Sequence, residues 1–165
     1  MSVLRKLDRK SRWLREGEEA ENEASPPADA LRCLKSEQNT LSVFFVSDDE
    51  DVERAAAAMA ASREGLDPFD YALLTEEALA FLQEQLEDTA GDTKDDTVNE
   101  WHRDLAKLRV NHVSELANTI YAQGDIKRFT PGEVKRIVRA AVEHGFISDD
   151  DVHPNVRAKI WRAEN

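Results

Sequence analysis

Between positions 41 and 86 the spacing of apolar residues changes period and then changes back. Leu41-Ser42-Val43-Phe44-Phe45-Val46 is a short run of β-branched and aromatic residues, bounded by Asn39-Thr40 and Ser47-Asp48. It predicts a buried strand over 41–46. Residues 47–51 then supply a helix N-cap and first-turn acids, whose charge suits the positive end of a helix. Val52, Ala55, Ala56, Met59 and Ala60 share one helical face, so a helix is expected from about 49 to 63, closing near Gly65. Its small side chains suit close packing on a sheet. After Leu66-Asp67-Pro68, residues 69–74 predict a second strand. Thr75 then caps a helix with Leu79, Leu82 and Leu86 on one face. Strand, helix, strand and helix in this order make a βαβα unit, and a right-handed crossover would set its strands parallel. Two strands do not make a stable sheet. A third is expected from the segment around Trp13, from a second copy of the chain, or from a partner.

Residues 88–96 form a polar break, and the pattern behind it is helical. Val98, Trp101, Leu105 and Leu108 predict one helix over 97–108. Val113, Leu116, Ala117, Ile120 and Tyr121 predict a second, stopped by Gly124. Thr130-Pro131-Gly132-Glu133 reads as a capping box with proline at the first helical position. It launches Val134, Ile137, Val138, Ala141 and Val142, with Gly145 as the stop. Ser148 and three aspartates open a last segment carrying Val152, Val156 and Ile160. Upstream, residues 2–16 suggest a short basic helix with Leu4, Leu7 and Leu14 on one side, although a strand around 11–14 stays open because Trp13 falls off that stripe. Residues 17–29 contain no large apolar side chain and two prolines, as a linker or exposed loop would, and Pro27 opens a short helix carrying Leu31 and Leu34. The expected fold class is α+β and mostly helical. It comprises a basic N-terminal segment (1–16), an acidic linker or loop (17–29), a small α/β unit (30–87), and a region of three to four helices (97–165) packed on it as one domain.

Charge sharpens this picture. The chain of 165 residues has a net charge of −12, unevenly spread. Residues 1–16 hold six Lys/Arg against two Asp/Glu, residues 17–100 hold five against twenty-three, and residues 101–165 hold eleven against nine. So acidic a middle repels nucleic acid and anionic membranes, and direct DNA binding would have to use one of the ends. Solubility explains such a block, as does a basic protein partner, mimicry of a nucleic-acid backbone, or adaptation to high salt. No apolar run reaches the roughly 20 residues of a membrane span. No apolar h-region follows Arg5 and Lys6, so no secretory leader is expected. Cys33 stands alone, which excludes an internal disulfide. A cytoplasmic setting is expected, and the abundance of Ala, Arg, Asp and Glu suggests a prokaryote.

Candidate chemistry is sparse. Cys33 lacks any nucleophile signature and suits a small buried side chain. His102 falls on an apolar helix face, where a packed ring bonded to a backbone carbonyl is expected. No HExxH or clustered Cys/His supports a metal, and the aspartate runs fail the spacing of a calcium loop. Glu133-Val134-Lys135 has the ExK form of some metal-dependent nucleases, but Glu133 is already used by the capping box. No glycine-rich phosphate loop occurs. Neither a catalytic residue nor a cofactor or metal is assigned. Asp48, Asp49 and Asp51 lie at the carboxyl end of the first expected strand, where open sheets place ligand sites, and Asp70 at the start of the second is a weaker companion. These three aspartates and the basic Arg5 and Lys6 are the candidate partner contacts. Lys135, Arg136 and Arg139 on the penultimate helix are the candidate nucleic-acid contacts. The leading expectation is a non-enzymatic interaction or regulatory accessory protein that uses an acidic surface and binds another protein, with self-association through an open sheet edge as a further possibility. The alternatives are a nucleic-acid-facing protein and a hydrolase whose active site near the strand ends carries no signature.

Overall fold

Strand β1 (Ser2–Leu7) buries Leu4 on one side and Val3 and Leu7 on the other, a period of two with both faces covered. The chain is described by a computed structural model over residues 1–13, 25–34 and 37–162. In it β1 lies between β2 (Leu41–Val46) and β3 (Phe69–Thr75) and runs antiparallel to both. Those two strands are therefore parallel to each other but not adjacent. Helix α1 (Asp49–Ala61) joins them, so the βαβ unit exists with the N-terminal strand inserted into it.

The expected helix over residues 2–16 is corrected by this insertion as far as residue 13, while residues 14–16 and most of the expected linker (17–24) lie outside the described residues. Leu4 and Leu7 suit a helical stripe as well as a strand, but only an extended chain can satisfy the facing edges of β2 and β3. The third strand does come from the N-terminus, although not from the neighbourhood of Trp13. That residue follows a single 3-10 turn at Lys10–Arg12 and is wholly buried.

Three more strands widen the sheet. β4 (Leu86–Glu87) pairs with β5 (His102–Leu105), β5 pairs with β2, and β6 (Asp125–Phe129) pairs with β3, giving the all-antiparallel order β4-β5-β2-β1-β3-β6. The expected helix over 97–108 is thus corrected to a short one, α2 (Asp96–Trp101), which breaks into β5. His102 pairs with Phe44 across the strands and meets its ring edge-on at 5.2 Å. An unpaired β2 edge outweighs the helical spacing of Leu105 and Leu108. Residues 77–85, expected as an α-helix, wind as 3-10, where Leu79 and Leu82 fall one above the other at three residues per turn.

Helices cover both faces. α1, α2, α4 (Pro131–Glu143) and α5 (Pro154–Ile160) share one apolar cluster with Leu4, Phe44, Val46, Phe69 and Tyr71. On the other face, α3 (Val110–Gln123) and the 3-10 segments Ala28–Leu34 and Glu77–Gln85 pack on Val3, Leu7, Leu41, Val43 and Leu74. A sheet covered twice explains the unbroken apolar run of β2. It also explains why Ala55, Ala56, Ala57 and Ala58 are all buried in α1, which is enclosed by the sheet, α2 and α4. The sheet edges are blunt: β4 has two residues and β6 carries Asp125, Lys127 and Arg128. Neither offers a second copy a long apolar strand.

Two buried aspartates tie neighbouring elements together. Asp95 caps α2 by accepting from the Thr97 and Val98 N–H groups. It also receives a two-pronged guanidinium from Arg54 of α1, Nε to Oδ2 at 2.6 Å and Nη2 to Oδ1 at 2.9 Å. Asp70 of β3 is held in the same way by Arg128 of β6, and the Lys10 N–H donates to its Oδ2 at 2.6 Å. Burial alone would raise the Asp70 pKa, but the bonds from Arg128 and Lys10 together hold it below the ordinary 3.8.

Asp95→Ala removes a helix cap and strands the Arg54 charge. We expect unfolding free energy to fall by about 3 kcal/mol in urea denaturation, and a loss below about 1 kcal/mol would remove this pair as a tie between α1 and α2. For Asp70 the folded pKa lies below the unfolded one, so its contribution is complete above pH 3.8 and is lost as pH falls through the lower, folded value. Acid titration of the Asp70→Asn variant should show lower stability at neutral pH and a flatter decline below about pH 4 than the wild type. Identical slopes would count against the assignment.

Candidate interaction surface

Helix α4 begins where Thr130 and Glu133 cap each other reciprocally, the Thr130 N–H donating to the Glu133 carboxylate at 2.7 Å with Pro131 in the first turn. Val134, Ile137, Val138 and Ala141 turn inward. The outward stripe is then Gly132, Lys135, Arg136, Arg139, Ala140 and Glu143, at offsets of three and four. Together with Arg162 beyond α5, these residues line an open depression of about 470 Å³.

The cations in it are held in position. Arg136 grips Glu53 of α1 with Nη2 to Oε1 at 2.6 Å and Nη1 to Oε2 at 3.2 Å. Arg139 donates from Nε to Glu143 at 2.8 Å, and its guanidinium lies 5.4 Å from the centre of the exposed Trp161 ring. Lys135 donates to the Arg162 carbonyl at 3.0 Å, which joins α4 to the residues after α5. These pairings leave the Arg136 Nε, both Nη groups of Arg139 and the Arg162 guanidinium without partners among the described residues. The fold therefore brings Lys135, Arg136 and Arg139 together.

The acidic candidates also cluster, but two of the three have work to do. Asp48 caps α1 by accepting from the Asp51 N–H, and Asp51 accepts from the Ser47 N–H, both at 2.9 Å. Asp49 is exposed. Burial pushes the Tyr71 hydroxyl up to about 12, helped by Asp125, Asp49, Glu133 and Glu53, and the first turn of α1 itself carries Asp49, Glu50 and Asp51. Asp70 is engaged elsewhere, with Arg128.

Arg5 and Lys6 are separated by their strand, because successive residues of β1 face opposite sides of the sheet. Arg5 donates to the Ser42 carbonyl at 2.6 Å, and burial lowers its pKa to about 10. Its Nε is buried without a partner among the described residues. Lys6 is half-buried, and burial and the nearby Arg63 lower its pKa.

A polar cluster on β5 escaped the reading of the sequence. Ser42 and Thr89 both donate to Asp104, at 3.2 and 3.0 Å, and the His102 Nδ1–H donates to the Thr89 carbonyl at 3.1 Å. His102 Nε2 lies 3.6 Å from Asp104. Outside it is a second depression of about 550 Å³, lined by Asp88, Asp96, Asn99, Glu100 and Arg103 among others. Its sequence signal, His102 and Asp104 two apart, has meaning only on a strand. Cys33 is buried, and among the described residues no group of three or more His, Cys, Asp or Glu is placed to hold a metal. No helix among the described residues is long and apolar enough to cross a membrane. Compared with known families, curated proteins and solved structures, the chain matches none.

Proposed function

We propose that this chain is a non-enzymatic interaction or regulatory accessory protein of a prokaryotic cytoplasm, and that it meets its partner through the charged outer surface of the α1–α4–α5 layer. The observation that supports this is the convergence of Lys135, Arg136, Arg139 and Arg162 on one depression of that layer. Solubility needs only scattered charge, whereas here the cations of α4 and Arg162 line one depression and the acids gather at the start of α1. The acids are the weaker contact, since Asp48 and Asp51 are engaged in capping. The contact is therefore assigned to the depression, with Asp49 as its acidic neighbour. A nucleic-acid-facing protein is the second reading, favoured by the same convergence of cations. It is weakened by the carboxylate partners of Arg136 and Arg139 and by the overall charge of −12.

Affinity capture of the tagged chain from its native lysate, at low and moderate salt and with and without nuclease, separates these readings. We expect a stoichiometric protein partner that survives nuclease and weakens with salt. The Arg139→Ala, Arg162→Ala double variant should lose the partner, while Asp49→Asn should retain most of it. Capture that vanishes with nuclease would transfer the surface to nucleic acid, and an empty bait would count against an interaction protein.

A further inference from the structure

We propose that the depression on α4 is a receptor for a phosphoryl group carried on a side chain of the protein partner, an inference that rests on the interaction reading above. The donors are of the right kind and number. Three guanidiniums at one depression present N–H groups without partners among the described residues: Arg136 through Nε, Arg139 through both Nη groups, and Arg162 through its whole fork. A phosphate monoester carries close to two negative charges and three acceptor oxygens, against one charge and two oxygens for a carboxylate. A single carboxylate needs only one of these forks.

The anchoring pairs strengthen the case. Glu53 and Glu143 each occupy part of a guanidinium and restrain it, and the Arg139 guanidinium also lies 5.4 Å from the centre of the Trp161 ring. Arginines already held lose less side-chain entropy when an anion arrives. Gly132 adds no side chain to the lining, and the space beside it is open, since a Cβ there would meet nothing within 4 Å. At about 470 Å³ the depression has the size of a compact ligand group with its neighbouring atoms.

The same surroundings disfavour a continuous phosphate backbone. Glu53 and Glu143 lie within the ion pairs themselves, and Asp149 accepts from the Trp161 Nε1–H at 2.8 Å. A strand of nucleic acid laid across the depression would have to pass these carboxylates, whereas one phosphoryl group sits between them.

The test uses the full chain. Inorganic phosphate and O-phosphoserine are titrated into the ¹⁵N-labelled protein, with serine, glutamate and a short DNA duplex as comparisons. We expect saturable shifts at Gly132, Arg139 and Arg162 with both phosphoryl probes and none with serine or glutamate. The Arg139→Ala, Arg162→Ala variant should bind at least tenfold more weakly with an unchanged thermal midpoint. In parallel, phosphatase treatment of the lysate should abolish capture of the partner. Non-saturating shifts, shifts elsewhere on the chain, an equal response to glutamate or tighter binding of the duplex would each overturn the proposal. Capture that persists after phosphatase treatment would overturn it too while leaving the interaction reading in place, and an empty bait from untreated lysate would remove that reading instead.

Discussion

The fold depends on one constraint: β2 and β3 are parallel strands joined by a helix, and a strand must fill the gap between them. β1 does so, bonding along both edges. Its position makes it the innermost element of the sheet, with Val3 and Leu4 fully buried on opposite faces. Because its partners are far along the chain, the sheet cannot close until residues 41–75 have taken up their crossover, and every later strand is added outside this trio. β5 and β4 extend one side and β6 the other.

The outer layers inherit their placement from that frame. Asp70 receives Arg128 from the edge strand and the Lys10 N–H from the turn that leaves the central strand, so one buried carboxylate fixes two connections. Asp95 does the same for the layer above, where Arg54 joins α1 to the cap of α2 while its guanidinium lies 3.9 Å from the centre of the Phe146 ring. Each aspartate is buried with both carboxylate oxygens hydrogen-bonded and its charge paired with an arginine, the condition under which a buried charge is tolerable.

The proposed contact surface is what this packing leaves outside. α4 spends one face on α1 and the sheet, and the periodicity that buries Val134, Ile137 and Val138 sets Lys135, Arg136 and Arg139 along the opposite side. Arg162 reaches the same depression only because α5 packs beside α4. In a chain of net charge −12, such a local concentration of cations acts over about a Debye length, roughly 8 Å at physiological salt. It is suited to a small anionic group and poorly suited to attracting a polyanion from a distance.

Local signals determined much of this protein without help from the fold. The run Leu41–Val46, the caps at Asp48 and Thr130, the stop at Gly124 and the amphipathic stripe of α4 appear where the sequence predicts them, because capping and hydrophobic periodicity are satisfied within a few residues. The three cations of α4 were legible for the same reason. Tertiary structure decided the rest wherever two local conformations were close in energy. Leu4 and Leu7 suit a helix or a strand, and so does the segment from His102 to Leu105; unpaired strand edges settled both. The cluster of Ser42, Thr89, His102 and Asp104 and the arrival of Arg162 beside α4 join residues remote in sequence. No local pattern records them, since their proximity is set by which strand edges pair and which helices share a face.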